Sequence, residues 1–163
     1  MKALVYTGVE KLVYREEKDP VETSGESILK VHASGICGSD MHAYHGKDER
    51  RIAPLIIGHE VSGVIQNGKF QGKNAVLNPL ITCGKCEYCT SGREHLCPHR
   101  VLLGMNKPYE RQGVFAELVS SPNQNIYEVP DHLDLNEAAI AEPTAVSLPV
   151  SYTHLRAHET RSD

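Results

Sequence analysis

From Gly35 to His42 the chain reads Gly-Ile-Cys-Gly-Ser-Asp-Met-His, which sets a thiol, a hydroxyl, a carboxylate and an imidazole at Cys37, Ser39, Asp40 and His42. A second cluster, Gly58-His59-Glu60, follows about twenty residues later. Cys37 and His59 are good Zn2+ donors, and Asp40 and Glu60 can orient an imidazole or enter the coordination sphere. Taken singly, a cysteine is often a small buried apolar residue and a histidine a structural one. The pair gains weight from its surroundings. Gly-His-Glu brings imidazole and carboxylate together, and Asp40 is at hand to accept the imidazole N–H. These residues read as a zinc site able to polarise a bound hydroxyl, with Ser39 and His42 carrying its proton away.

The densest metal pattern lies further on, as Cys83-x2-Cys86-x2-Cys89-x7-Cys97. Four thiolates so closely spaced can wrap one tetrahedral Zn2+ in a closed structural site, contributing about 10–16 kcal/mol of apparent binding energy to local folding. Gly84 and Gly92 let the backbone turn around the metal. An iron–sulfur cluster also takes four cysteines and is the rival occupant. Unligated buried thiols do not suit a polar loop.

At 163 residues the chain is one domain, or one domain with a remnant. Its net charge of -4 and lack of a basic run argue against a nucleic-acid surface. No apolar run approaches the roughly 18 residues of a membrane helix, and the N-terminus lacks the apolar core of a signal peptide. Five cysteines divide into four clustered and one apart, which suits two metal sites in a reducing compartment better than a disulfide framework. The expected address is the cytoplasm.

The elements that must position these residues are short strands. Residues 3–6 and 12–14 read as a hairpin around Gly8. From Ser27 to Ala33 the chain alternates, with Leu29, Val31 and Ala33 on one face and Lys30 and His32 on the other. Val61–Gln66, Ala75–Leu77, Val114–Val119 and Ile126–Val129 are further strands bounded by Gly, Pro or Asn. Helices are expected only around Ser39–His45, Cys86–Ser91 and Asn136–Ala141. Many short strands with turns between them predict a mainly β fold, a barrel or sandwich. After Leu148 the sequence turns polar and aperiodic. Residues 149–163 resemble the translation of a sequencing adapter, most closely from Val150 to Ser162, and are set aside with His154 and His158.

Over residues 1–148 the chain resembles the catalytic domain of the zinc-dependent medium-chain alcohol dehydrogenases. The resemblance is carried by Gly-Ile-Cys-Gly-Ser-Asp, Gly-His-Glu, the four-cysteine lobe and Gly-Val-Phe-Ala-Glu at 113–117. Ala-Glu-Pro-Thr-Ala-Val at 141–146 is similar to the polyol and threonine dehydrogenase branch. The resemblance implies a GroES-like β-barrel with short helices and a zinc-binding lobe. It implies a catalytic zinc on Cys37, His59 and Glu60, with Glu142 as an exchangeable or water-mediated ligand. A structural zinc would sit on Cys83, Cys86, Cys89 and Cys97, and the proton relay falls on Ser39 and His42. It further implies oxidation of an alcohol or polyol to a ketone or aldehyde, with NAD(P) held by a Rossmann domain and the whole enzyme a homo-oligomer.

The sequence departs from that family in places. Gly72-Lys73-Asn74-Ala75-Val76 stands where Gly-Asp-Arg-Val is usual, and Gly113-Val114 replaces Gly-Gly. No Gly-x-Gly-x-x-Gly follows a strand, so the Rossmann domain is missing from these residues and they are expected to be inactive alone. A zinc-ribbon-like binding module would account for the four-cysteine loop but not for Cys37, His59, Glu60 and Glu142. A relative that kept the fold and lost the catalytic metal is a third reading. Sugar alcohols, their phosphates, secondary alcohols and threonine all remain open as substrates. Arg50, Arg51 and Lys107 could meet a phosphate but read as solvated charges.

Overall fold

The computed structural model describes the backbone of residues 1–159 and the side chains of residues 1–154. Strand β1 (Lys2–Gly8) pairs antiparallel with β2 (Lys11–Glu16), the expected hairpin. The other edge of β1 pairs with β4 (Leu55–Ile56). The larger sheet is built on β3 (Glu26–Gly35), flanked by β5 (Glu60–Ile65) and β9 (Leu118–Pro122). It continues from β5 through β6 (Asn74–Leu77) to β10 (Ile126–Glu128). A third, two-stranded sheet joins β7 (Leu80–Ile81) to β8 (Val101–Leu102) at the base of the cysteine loop.

The alternation in β3 has the expected outcome. Leu29 is fully buried and Val31 and Ala33 are partly so, whereas Lys30 and His32 are exposed. Leu29 packs with Val61, Ile65, Ala75, Leu77, Leu103, Val114, Val119 and Ile126 in the main core. Two smaller clusters lie under β1 and β4, and Phe115 packs against all three. The result is a mainly β, curled half-barrel with one continuous interior.

The segment expected as a strand over Val114–Val119 is regular only from Leu118. Its first half is shared among three partners. Val114 and Phe115 donate to the carbonyls of Gly58 and Ile57, Glu117 donates to Lys2, and Val31 donates to Glu117. A segment that passes between sheets makes single bridges, such as Ala3 with Ala116, rather than a ladder. This crossing stitches the two sheets together.

Helix α1 (Gly38–Tyr44) and α2 (Glu87–Thr90) fall where expected. The third expected helix is divided. Asp134 caps α3 (Leu135–Ala138) by accepting from the Asn136 N–H at 2.7 Å. A new helix, α4 (Ala141–Glu159), then begins and runs into the segment set aside from the sequence. Pro143 sits in its first turn, where no N–H is needed, while Pro149 removes an interior donor. Residues 160–163 lie outside the described residues.

Between β3 and β5 the backbones meet closely: a Cβ built on Gly63 would lie 2.1 Å from the Lys30 carbonyl oxygen. Gly63→Ala should therefore lower stability by about 1–3 kcal/mol, read as a shift in the denaturant midpoint.

Candidate metal centres

The four-cysteine loop leaves the β7–β8 pair as a closed excursion. Gly84 and Gly92 adopt φ of +69° and +71°, the left-handed turns their sequence positions implied. Helix α2 carries Cys89, and a short 3-10 turn over Glu94–Leu96 delivers Cys97 into the interior. The four sulfurs all lie within 4.8 Å of one another, with Cys86 and Cys89 3.5 Å apart and Cys83 and Cys89 3.9 Å apart. None is in a disulfide. A tetrahedral Zn2+ with bonds of about 2.3 Å has sulfur–sulfur edges of about 3.8 Å, so the donor set fits that ion.

The thiols differ in acidity. Backbone N–H groups of Lys85 and Cys86 lower the Cys83 thiol to about 6. Cys86 has a bond from Cys89 backbone that favours the thiolate, but burial and the neighbouring thiols outweigh it and raise Cys86 to about 11. The cluster takes one negative charge readily and resists a second beside it. A divalent cation among the sulfurs would remove that resistance.

The second cluster forms where β3 and β5 end side by side. The β3–β5 register slips by one residue between Val31 and Ala33, a bulge that leaves Gly35 opposite Glu60. The Glu60 carboxylate lies across Gly35, where a Cβ would meet Oε2 at 2.0 Å. Two residues on, Cys37 precedes α1, and His59 immediately precedes β5. Donor atoms of Cys37, His59 and Glu60 fall within 4.8 Å of one another, with His59 and Glu60 both buried.

Asp40 organises this cluster. Its carboxylate is 2 % exposed and accepts from the Cys37 N–H at 3.0 Å and the Gly58 N–H at 3.3 Å. Oδ1 is also 3.6 Å from His59 Nδ1, an ion-pair separation too long for a hydrogen bond. Nδ1 is buried and has no hydrogen-bond partner. Burial pulls the His59 pKa down, but Asp40 and then Cys37 outweigh it and leave it raised. A ring held by a carboxylate on its Nδ1 side turns Nε2 toward a metal. The donor set of thiolate, imidazole and carboxylate fits a catalytic zinc.

Glu142, in the first turn of α4, does not join the three-residue cluster. Burial raises its pKa; His59 opposes that shift, and Glu60 and Asp40 add to it. The carboxyl therefore lies within the electrostatic reach of the site. Ser39 and His42, three residues apart on α1, line a cleft of ≈ 350 Å³ with Lys47, Asp48, Glu49 and Arg50. No hydrogen bond joins their side chains.

One expectation fails here. Arg50 and Lys107 are exposed, as solvated charges should be, but Arg51 is 3 % exposed and lies under the site. It pairs with Asp48 at 2.6 Å and approaches Asp40 at 3.6 Å. The i,i+3 spacing of Asp48 and Arg51, just before the apolar run that leads to Gly58, is the signal that sequence reading passed over.

With this geometry in view, similarity to known proteins has a structural meaning. Residues 23–131 match the alcohol dehydrogenase GroES-like domain. The chain is 32% identical over 162 residues to the D-arabitol-phosphate dehydrogenase of Enterococcus avium, covering 94% of this chain and 45% of that protein. It is 34% identical over 154 residues to the L-threonine 3-dehydrogenase of Anaeromyxobacter sp. (strain K), covering 88% and 44%. An alcohol dehydrogenase from E. coli CFT073, described as short chain and complexed with NADH, superposes with a TM-score of 0.82 at 30% identity, over 91% of this chain and 44% of that one. The chain thus spans less than half the length of each of these relatives. A match over these residues, with the curled β fold behind it, shows that the chain belongs to the alcohol dehydrogenase GroES-like domain family.

Proposed function

We propose that the whole protein is a zinc-dependent, NAD(P)-linked dehydrogenase that oxidises an alcohol or polyol to a ketone or aldehyde. The residues described here would form its alcohol-binding half. The observation that carries this reading is the convergence of Cys37, His59 and Glu60 within 4.8 Å, one turn from Ser39. A zinc-ribbon-like module has no use for that second cluster.

Cys37, His59 and Glu60 would hold the catalytic metal, and Glu142 would serve as an exchangeable or water-mediated ligand. Bound there, zinc would supply Lewis acidity, which lowers the pKa of a neighbouring water or alcohol by several units. Ser39 accepts the substrate hydroxyl proton at Oγ and passes its own toward His42, which is exposed and can release a proton to solvent. NAD(P), held by a Rossmann domain outside these residues, would supply the acceptor for the hydride of the carbinol carbon. Cys83, Cys86, Cys89 and Cys97 would hold a second, structural zinc that orders their loop.

Relatives that act on a polyol phosphate and on threonine support a polar substrate with a secondary hydroxyl. The cations once available for a phosphate are partly committed, since Arg51 is buried and Arg50 is paired with Asp48. Free thiols suit the cytoplasm. Among the described residues no helix is long and apolar enough to cross a membrane. The proposed partners are a small alcohol or polyol and further copies of the whole protein, with no nucleic acid or membrane among them.

Metal analysis tests the reading directly. The purified chain should carry two zincs, falling to one in Cys37→Ala; a single zinc in both would leave only the lobe and favour a binding module. In the whole protein, Ser39→Ala should lower kcat about 10²-fold or more with zinc content unchanged, measured by NAD(P)H formation. These 163 residues assayed alone should show no such turnover, and measured turnover would overturn the assignment of the nicotinamide site to another domain.

A further inference from the structure

A buried guanidinium must have oxygen partners on every side, because an unpaired cation in the interior is too costly to keep. Arg51 is surrounded by such partners. Nε donates to the Gly104 carbonyl at 2.9 Å, and Nη1 donates to the Ser39 carbonyl at 3.2 Å and to Asp48 Oδ2 at 2.6 Å. Nη2 donates to Ser39 Oγ at 3.3 Å and faces Asp40 Oδ1 at 3.6 Å. Four of the fork's five N–H groups thus donate to oxygens, and Asp40 stands beside the fifth at ion-pair distance.

Three of these partners adjoin the candidate zinc site, in space or along the chain. Asp40 Oδ1 lies between Arg51 and His59, 3.6 Å from each. Gly104 packs against the backbone just before His59, where its Cβ would lie 2.8 Å from the Gly58 carbonyl. Ser39 is the first member of the proposed relay. We infer that Arg51 is a positioning residue for the catalytic metal: it holds the Asp40 carboxylate toward His59 Nδ1 and aims the Ser39 hydroxyl into the site. A guanidinium only donates. Ser39 therefore cannot pass its proton to Arg51, which leaves the cleft that Ser39 and His42 both line as the route. This inference rests on the zinc dehydrogenase reading above.

The test measures zinc retention by the full chain against a competing chelator, with the ¹⁵N shifts of the His59 ring reporting its tautomer. The lobe's zinc serves as the internal control for folding. Arg51→Gln should weaken the second zinc about 10–100-fold, leave the lobe's zinc in place and shift His59 toward a mixed tautomer. Arg51→Lys, which keeps the charge but not the fork, should recover part of the loss. If Arg51→Gln also loses the lobe's zinc, Asp48→Asn decides, since it loosens the fork with Arg51 intact. Selective weakening of the second zinc in that variant supports the role, and its absence refutes it. Wild-type affinity and an unchanged His59 tautomer in Arg51→Gln would overturn the inference alone. A wild-type chain with one zinc would overturn the underlying reading as well.

Discussion

The pairing of β3 with β5 is the constraint from which the rest follows. These adjacent strands sit inside the five-stranded sheet, with Leu29, Val61 and Ile65 from them buried in the main core. Their antiparallel register brings the end of one beside the start of the other, so Gly35 lies opposite Glu60. Cys37, His59 and Glu60 all lie within two positions of that pair. The bulge near His32 bends the end of β3, and only a glycine at 35 leaves room for the Glu60 carboxylate.

Close backbone approach continues the same theme around His59. Gly58 has φ of +92° and packs on Phe115, and a Cβ on Gly113 would strike the Ile57 carbonyl at 2.4 Å. Three chain segments therefore meet at the one turn that presents the imidazole. Crowding of this kind leaves the backbone at His59 little room to shift. The buried charges beneath it serve the same end by different physics. Asp40, Arg51 and Asp48 are costly to desolvate, and their mutual pairing offsets that cost.

The cysteine lobe is organised differently. Apart from Cys97 its side chains are half-buried or exposed, so little apolar burial orders it. Its four sulfurs are the groups that a bound divalent cation would hold together as thiolates. Helix α4 is a third case. Beyond its first turn Val146, Leu148, Val150 and Tyr152 are exposed, so local propensity alone supports it there. Ile36 and Met41, beside Cys37 and Asp40 in the chain, are likewise open to solvent.

By itself the sequence determined the β character, through alternation at Leu29, Val31 and Ala33. It also pointed to two groups of possible metal donors, because cysteines at x2-x2-x7 spacing and a Gly-His-Glu triplet are local patterns. Short-range chemistry is legible in one dimension. Tertiary structure alone decided which carboxylates approach His59, that Val114–Glu117 divides its hydrogen bonds among three partners, and that Glu142 stands apart from the cluster of three. It also decided the fate of Arg51. Whether an arginine is solvated or buried depends on oxygens from Ser39, Asp40, Asp48 and Gly104 converging on it. Such convergence across more than fifty residues is set by the packing of the sheets, and no pattern along the chain encodes it.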